Sequence, residues 1–141
     1  GSLNGNKNST RFSDEAFKYI KNEQLEENVF ILGHVSDNLH DLLMSKCIGV
    51  IQPTLFEGGP GGFCAWKAIG LNKPLALSNL KINYELRDVV EHISFFNPTS
   101  QNQIKEILIK LIKGEIKNTR YYGLNQQEFE YNYGNRIIDN G

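Results

Sequence analysis

An α/β fold of doubly wound type, a parallel sheet flanked by helices on both faces, is predicted by three features of this sequence. Short apolar runs recur at residues 29–32, 47–51, 75–77 and 93–96. Segments of helical spacing fall between them, and the runs are continuously apolar rather than alternating. Continuous apolarity marks strands buried on both faces, and strands alternating with helices mark parallel pairing. With 141 residues one domain is the default. A chain of that size can bury about two-thirds of its unfolded surface without disulfide or metal support.

The elements follow in order. Residues 1–12 are polar and turn-rich without periodicity, and Gly1-Ser2 reads as a cloning scar. A helix is expected from Ser13 as N-cap, with Asp14 and Glu15 at its positive end and Phe17, Ile20 and Leu25 as its buried stripe. The run 29–32 (Val-Phe-Ile-Leu), closed by Gly33, reads as a buried strand. Ser36 and Asp37 open a second helix with Leu39, Leu42 and Leu43 at helical spacing. Residues 47–51 form the next strand, ended by Gln52-Pro53. A Gly-rich loop, 57–62, leads into an apolar helix from Phe63 to Leu71, which Asn72-Lys73-Pro74 breaks. Residues 75–77 make a third strand, 78–88 an irregular stretch, and 93–96 a fourth strand. The helix from Ser100 to Lys113 is the clearest, with Ile104, Ile107, Leu108, Leu111 and Ile112 on one face. In the Tyr-rich tail, Phe129, Tyr133 and Ile137 stand four apart and predict a last helix packed on the body. No internal repeat is visible.

Composition removes several functional classes. Fifteen basic residues against sixteen acidic give a net charge of −1, which leaves no electrostatic footprint for nucleic acid. Cys47 and Cys64 sit in apolar runs without metal-ligand spacing, so neither a disulfide framework nor a zinc site is expected. No apolar run reaches a membrane span and no signal peptide is seen. A reducing, cytoplasmic compartment is the expectation.

The chemistry concentrates in the loop Glu57-Gly58-Gly59-Pro60-Gly61-Gly62. Glycines leave backbone N–H groups unshielded where a helix starts, which suits an anion. Glu57 at the mouth adds an acceptor that suits hydroxyl groups. Together they fit a sugar phosphate or nucleotide sugar. A tight strand-to-helix turn needing positive φ accounts for the same glycines equally well. The loop matches neither the dinucleotide fingerprint nor the P-loop. In doubly wound sheets ligands bind at strand carboxyl ends, at a switch in strand order, and this loop follows such an end.

Four blocks carry a wider likeness: residues 28–35 (Asn-Val-Phe-Ile-Leu-Gly-His-Val), 47–62, 73–79 (Lys-Pro-Leu-Ala-Leu-Ser-Asn) and 95–98 (Phe-Phe-Asn-Pro). In order and spacing they resemble the C-terminal, donor-binding domain of retaining glycosyltransferases with the GT-B fold, the large family 4 group, from about Asn28 to Ile112. The resemblance implies a Rossmann-like domain, residues 13–141, that binds a UDP- or GDP-sugar. It implies that Glu57 contacts hydroxyls of the donor sugar near the reacting carbon. Gly58, Gly59, Pro60, Gly61, Gly62 and Phe63 fall where the family holds sugar and diphosphate, and Gly33, His34 and Val35 where it meets the nucleobase. The family's second Glu, which grips the ribose, falls on Ala65, so Lys67 or a backbone group would have to substitute. No cofactor and no metal are expected.

The resemblance further implies two strands before residue 1, bearing an Arg and a Lys for the diphosphate, and an N-terminal domain that holds a saccharide or lipid-linked acceptor. The chain is therefore expected to be a fragment, inactive alone, of a two-domain enzyme. The gap between the strands at Val29 and Cys47 would be filled by another chain, a strand swap or a changed strand order, with a homo-oligomer as one outcome. Abundant Asn, Lys and Ile accord with an AT-rich bacterial source. Surface polysaccharide (O-antigen or capsule) assembly at the inner face of the membrane is the expected setting, with the parent enzyme peripherally bound. Two other readings stand beside this one: a nucleotide or sugar-phosphate binding module acting with a partner chain, and a structural domain that has lost activity at Ala65.

The remaining polar residues read as structural. His34, His40 and His92 form no ligand motif, although His34 follows a strand end near the loop. Trp66 reads as core, and Glu26-Glu27 as solvated turn charges. Asn83 and Glu85 match a family segment in which the Glu ties down a loop. Tyr121, Tyr122, Tyr131 and Tyr133 read as packing rings.

Overall fold

The computed structural model of the chain describes residues 7–123, with Gln127 and Phe129. They divide into two units, 1–40 and 41–141.

The first unit opens with helix α1, Lys7–Asn22. Half of the polar leader is thus helical, and Ser13 lies inside the helix instead of capping it. Asp14 and Glu15 likewise lie beyond the first turn. Arg11 and Glu15, one helical turn apart, pair at 3.1 Å on the exposed surface. Of the expected stripe, Ile20 and Leu25 are half-buried, whereas Phe17 is exposed. A Schellman turn stops α1: Gln24 takes a φ of 54°, and the Leu25 N–H returns to the Ile20 carbonyl at 2.9 Å.

Residues 29–32 are not a strand. They have no ladder partner among the described residues, and Val29, Phe30 and Leu32 are exposed. A strand exists through its pairing, so an apolar run without a neighbour does not become one. The next helix, α2, spans Asp37–Lys46, and the Ser36 hydroxyl accepts the Leu39 N–H at 3.3 Å, as the sequence leads one to expect. Its buried residue is Met44, while Leu39, Leu42 and Leu43 are exposed.

The second unit continues with β1 (Val50–Gln52), α3 (Gly62–Gly70), β2 (Leu75–Ser78), a 3-10 helix (Lys81–Asp88), β3 (Val90–Glu91), β4 (Ile93–Phe96), α4 (Gln101–Ile112) and β5 (Arg120–Tyr121). The sheet β1-β2-β4 is wholly parallel, with Ile51 opposite Ala76 and Ala76 opposite Ser94. All four residues of central β2 are buried, and they divide the core by alternation. Leu75 and Leu77 pack with Ala65, Ala68 and Ile69 of α3. Ala76 packs on the other side with Ile107 and Leu111 of α4. Helices on both faces explain why these strands read as continuous apolar runs.

The helix ends obey local chemistry. Asn72, at φ 51°, terminates α3, and the Lys73 N–H reaches back to the Ala68 carbonyl at 2.9 Å. The Lys73 ammonium then donates to the carbonyls of Ser45 and Cys47 at 2.8 and 2.9 Å, just past the end of α2, where a cation is favoured. Ser100 caps α4 by accepting the Gln103 N–H at 3.3 Å. The apolar face of α4 is narrower than its sequence implies: Ile107 and Leu111 are buried and Ile104 half-buried, but Leu108 and Ile112 are exposed.

A two-stranded antiparallel ladder, β3 with β5, lies outside the expected scheme. Its second strand lies in the Tyr-rich tail, ahead of the residues expected to be helical, and Tyr121 of β5 stacks on Phe129 at 4.0 Å between centroids. Trp66 meets both rings edge-on, as a core residue. Gln127 and Phe129 are helical; Tyr131, Tyr133 and Ile137 lie outside the described residues.

Candidate functional site

The site is built on the carboxyl end of β1. Pro53 cannot donate to a ladder, so β1 stops at Gln52. The Gln52 carbonyl accepts the Ser78 hydroxyl at 3.1 Å, which ties this strand end to β2. The Gln52 side chain reaches forward, and its Nε2 donates to Oε1 of Glu57. Thr54 Oγ1 donates to the same oxygen at 2.8 Å. Glu57 is half-buried, and its other oxygen, Oε2, lies over Gly62: a Cβ built on Gly62 would stand 2.8 Å from it. Gly62 is the first residue of α3, where the positive end of the helix dipole favours a carboxylate.

The far end of the loop is pinned separately. Gly61 has a φ of 73°, and its N–H donates to Oδ1 of Asn83 at 2.9 Å. Asn83 is buried, and its Nδ2 donates to the Ser78 carbonyl at 2.9 Å. Ser78 therefore anchors both ends of the loop, the Glu57 end through Gln52 and the Gly61 end through Asn83. The tying role that the sequence assigns to Glu85 belongs to Asn83, and Glu85 is exposed.

The glycines fall into two kinds. At Gly61 a Cβ would meet Leu86 at 2.8 Å and Ala65 at 2.9 Å, and Gly61 and Gly62 both have positive φ, so these two serve the turn. At Gly58 and Gly59 a Cβ would meet nothing within 4 Å, and neither has positive φ. Neither crowding nor backbone conformation demands glycine there. The Pro60 carbonyl accepts Trp66 Nε1–H at 3.0 Å, and the Gly61 N–H is committed to Asn83, so that donor is not open to a ligand.

Ala65 is fully buried, so a side chain at that position points into the core and not toward a ligand on the loop. Lys67 pairs with Asp41 of α2 and lies 4.9 Å from the Phe63 ring centroid, so its charge is held inside the unit. Phe63 itself is 63% exposed, as are Leu55 at 71% and Phe56 at 82%, which gives the loop an apolar lip. Gly33, His34 and Val35 belong to the first unit. Gly33 has a φ of 65° and leads toward α2, with His34 exposed and Val35 half-buried. His92 sits at φ 65° between β3 and β4, 3.9 Å from Glu91.

The loop lies at a strand's carboxyl end, as expected, but β1 is the edge of the described sheet and the order β1-β2-β4 contains no reversal. Gln52 and Thr54 were not foreseen as parts of the site, and Asn83 was singled out only beside Glu85, to which the tying role was given. For the first two the available signal was polar residues on either side of a strand-ending proline.

Compared with protein-family models, curated proteins and solved structures, the chain gives no match in any of the three. The fold itself defines the class: a mixed α/β protein whose three-stranded parallel sheet is flanked by helices, consistent with a Rossmann-like arrangement. Among the described residues no helix is long and apolar enough to cross a membrane.

Proposed function

We propose that this chain is the donor-binding domain of a retaining glycosyltransferase of the GT-B, family 4 type, which transfers a sugar from a nucleotide-diphosphate sugar to a saccharide or lipid-linked acceptor. One observation carries the reading: a carboxylate, Glu57, fixed by two side-chain donors beside a Gly-rich strand-to-helix loop at a parallel strand's carboxyl end. In this reading Glu57 accepts hydroxyls of the donor sugar. The unshielded backbone at Gly58 and Gly59 faces the diphosphate, on which negative charge grows as the glycosidic bond breaks. The contribution of the domain is positioning and charge stabilisation, with the acceptor supplied by a further domain. Bacterial surface polysaccharide assembly is the setting that the composition favours.

A second reading, a nucleotide or sugar-phosphate binding module that acts with a partner chain, draws on the exposed Leu55, Phe56 and Phe63 beside the loop, which a partner surface would cover. The first reading requires nucleotide binding and sugar transfer by a protein that also carries an acceptor domain, whereas the second is met by a nucleotide or by a sugar phosphate. Backbone amide NMR during titration with UDP, GDP and a sugar phosphate tests both. Saturable shifts clustered at residues 57–63 are expected. Shifts absent for both nucleotides would remove the first reading, and shifts absent for all three compounds, or scattered over α4, would remove both.

A further inference from the structure

The carboxylate of Glu57 stands on a loop, where a long acidic side chain would normally sample several rotamers at a conformational cost on ordering. Here one oxygen is saturated from two directions. Gln52 Nε2 and Thr54 Oγ1 both donate to Oε1. Gln52 is itself fixed, because it ends β1 and its carbonyl holds the Ser78 hydroxyl. The orientation of its amide is dictated by Glu57 and not by its own needs, since its Oε1 is buried and has no partner among the described residues. Leaving a buried acceptor unmet is unfavourable, so the bond from Gln52 Nε2 to Glu57 holds the amide against that cost. Gly62, lacking a Cβ, makes the space that Oε2 occupies.

From this geometry we infer that Gln52 and Thr54 are the positioning residues of the site. They saturate Oε1 of Glu57 and leave Oε2, over Gly62, as the acceptor presented to a ligand. A carboxylate oxygen only accepts, so it selects a group that donates hydrogen bonds. The ligand part recognised here is then a hydroxyl-bearing ring, and a phosphate or carboxylate is repelled from it and directed to the loop backbone. This inference rests on the nucleotide-sugar reading for the identity of the ligand, but not for the positioning of Glu57.

The test has two arms on the full chain. In the first, the side-chain amide of Gln52 is followed by NMR in the wild type and in Glu57→Ala. A slowly exchanging, downfield-shifted amide that moves to solvent-like values in the variant is expected. An amide already solvent-like, or indifferent to Glu57→Ala, overturns the positioning role whether or not any nucleotide binds. In the second arm, UDP and UDP-glucose, and GDP and GDP-mannose, are titrated into wild type, Gln52→Leu, Thr54→Val and Thr54→Ser. The expected result is that Gln52→Leu and Thr54→Val each weaken the sugar nucleotide by about tenfold. The matching nucleotide diphosphate is then largely unaffected, and Thr54→Ser, which restores the hydroxyl, binds like wild type. Equal weakening of diphosphate and sugar nucleotide, or no rescue by Thr54→Ser, overturns the inference. A wild type that binds none of the four probes, with the Gln52 amide behaving as expected, instead removes the nucleotide-sugar reading and leaves the positioning of Glu57 intact.

Discussion

The backbone N–H of Gly61 is held by the buried side chain of Asn83 at 2.9 Å, across 22 positions of sequence. Because Asn83 also holds the Ser78 carbonyl at 2.9 Å, one amide side chain joins the Gly-rich loop to the carboxyl end of the central strand. It meets one donor and one acceptor in the interior, where unmet groups are costly.

Asn83→Ala leaves the Gly61 N–H and the Ser78 carbonyl without this partner. Each orphaned group costs about 1–3 kcal/mol, so a loss of about 2–4 kcal/mol in unfolding free energy is expected by urea titration. A change below 0.5 kcal/mol, the range of an ordinary surface substitution, would show that Asn83 does not bear the loop.

The two kinds of glycine separate stability from binding. Gly61→Ala places a side chain at φ 73° against Leu86 and Ala65 and is expected to cost about 3 kcal/mol. Gly59→Ala enters open space at an unstrained φ and is expected to leave the melting temperature unchanged or slightly raised. If Gly59 admits the ligand's phosphates to the backbone, the same variant weakens nucleotide binding. Thermal unfolding of both variants beside nucleotide titration of Gly59→Ala checks all three statements.

Lys67 and Asp41 join α3 to α2 through an ion pair whose side chains are 12% and 28% exposed. Asp41→Asn removes the compensating charge from a mostly covered ammonium. Partial exposure discounts the several kcal/mol of a fully buried pair to about 1–2 kcal/mol. Chemical denaturation at low and high salt measures it, and only slight salt dependence is expected, because the Lys67 side chain is mostly shielded from solvent.

The parts of the fold written in local chemistry were legible. Asn72 ends α3, Ser100 caps α4, and the three apolar runs with a parallel neighbour became β1, β2 and β4. What failed depends on distant partners. Residues 29–32 have the composition of a strand and nothing to pair with, and the β3–β5 ladder joins two short segments some thirty residues apart. Helical spacing located α2 and α4 without revealing that Leu42, Leu43, Leu108 and Ile112 face solvent, because the width of a buried face is set by the neighbour and not by the helix. In the site, Glu57 and the turn glycines were visible as residue types. Gln52 and Thr54 were not, and Asn83 was noticed without its bond to Gly61, since a side chain's hydrogen-bond partner is a tertiary fact.

The most direct measurement is calorimetric titration of UDP-glucose and GDP-mannose into the wild type and Glu57→Ala. The account predicts saturable binding of at least one of them, weakened about tenfold or more when the carboxylate is removed, as expected for losing a hydrogen bond to a charged group. A folded wild type that takes up neither compound, or binds one with an affinity indifferent to Glu57→Ala, would contradict it.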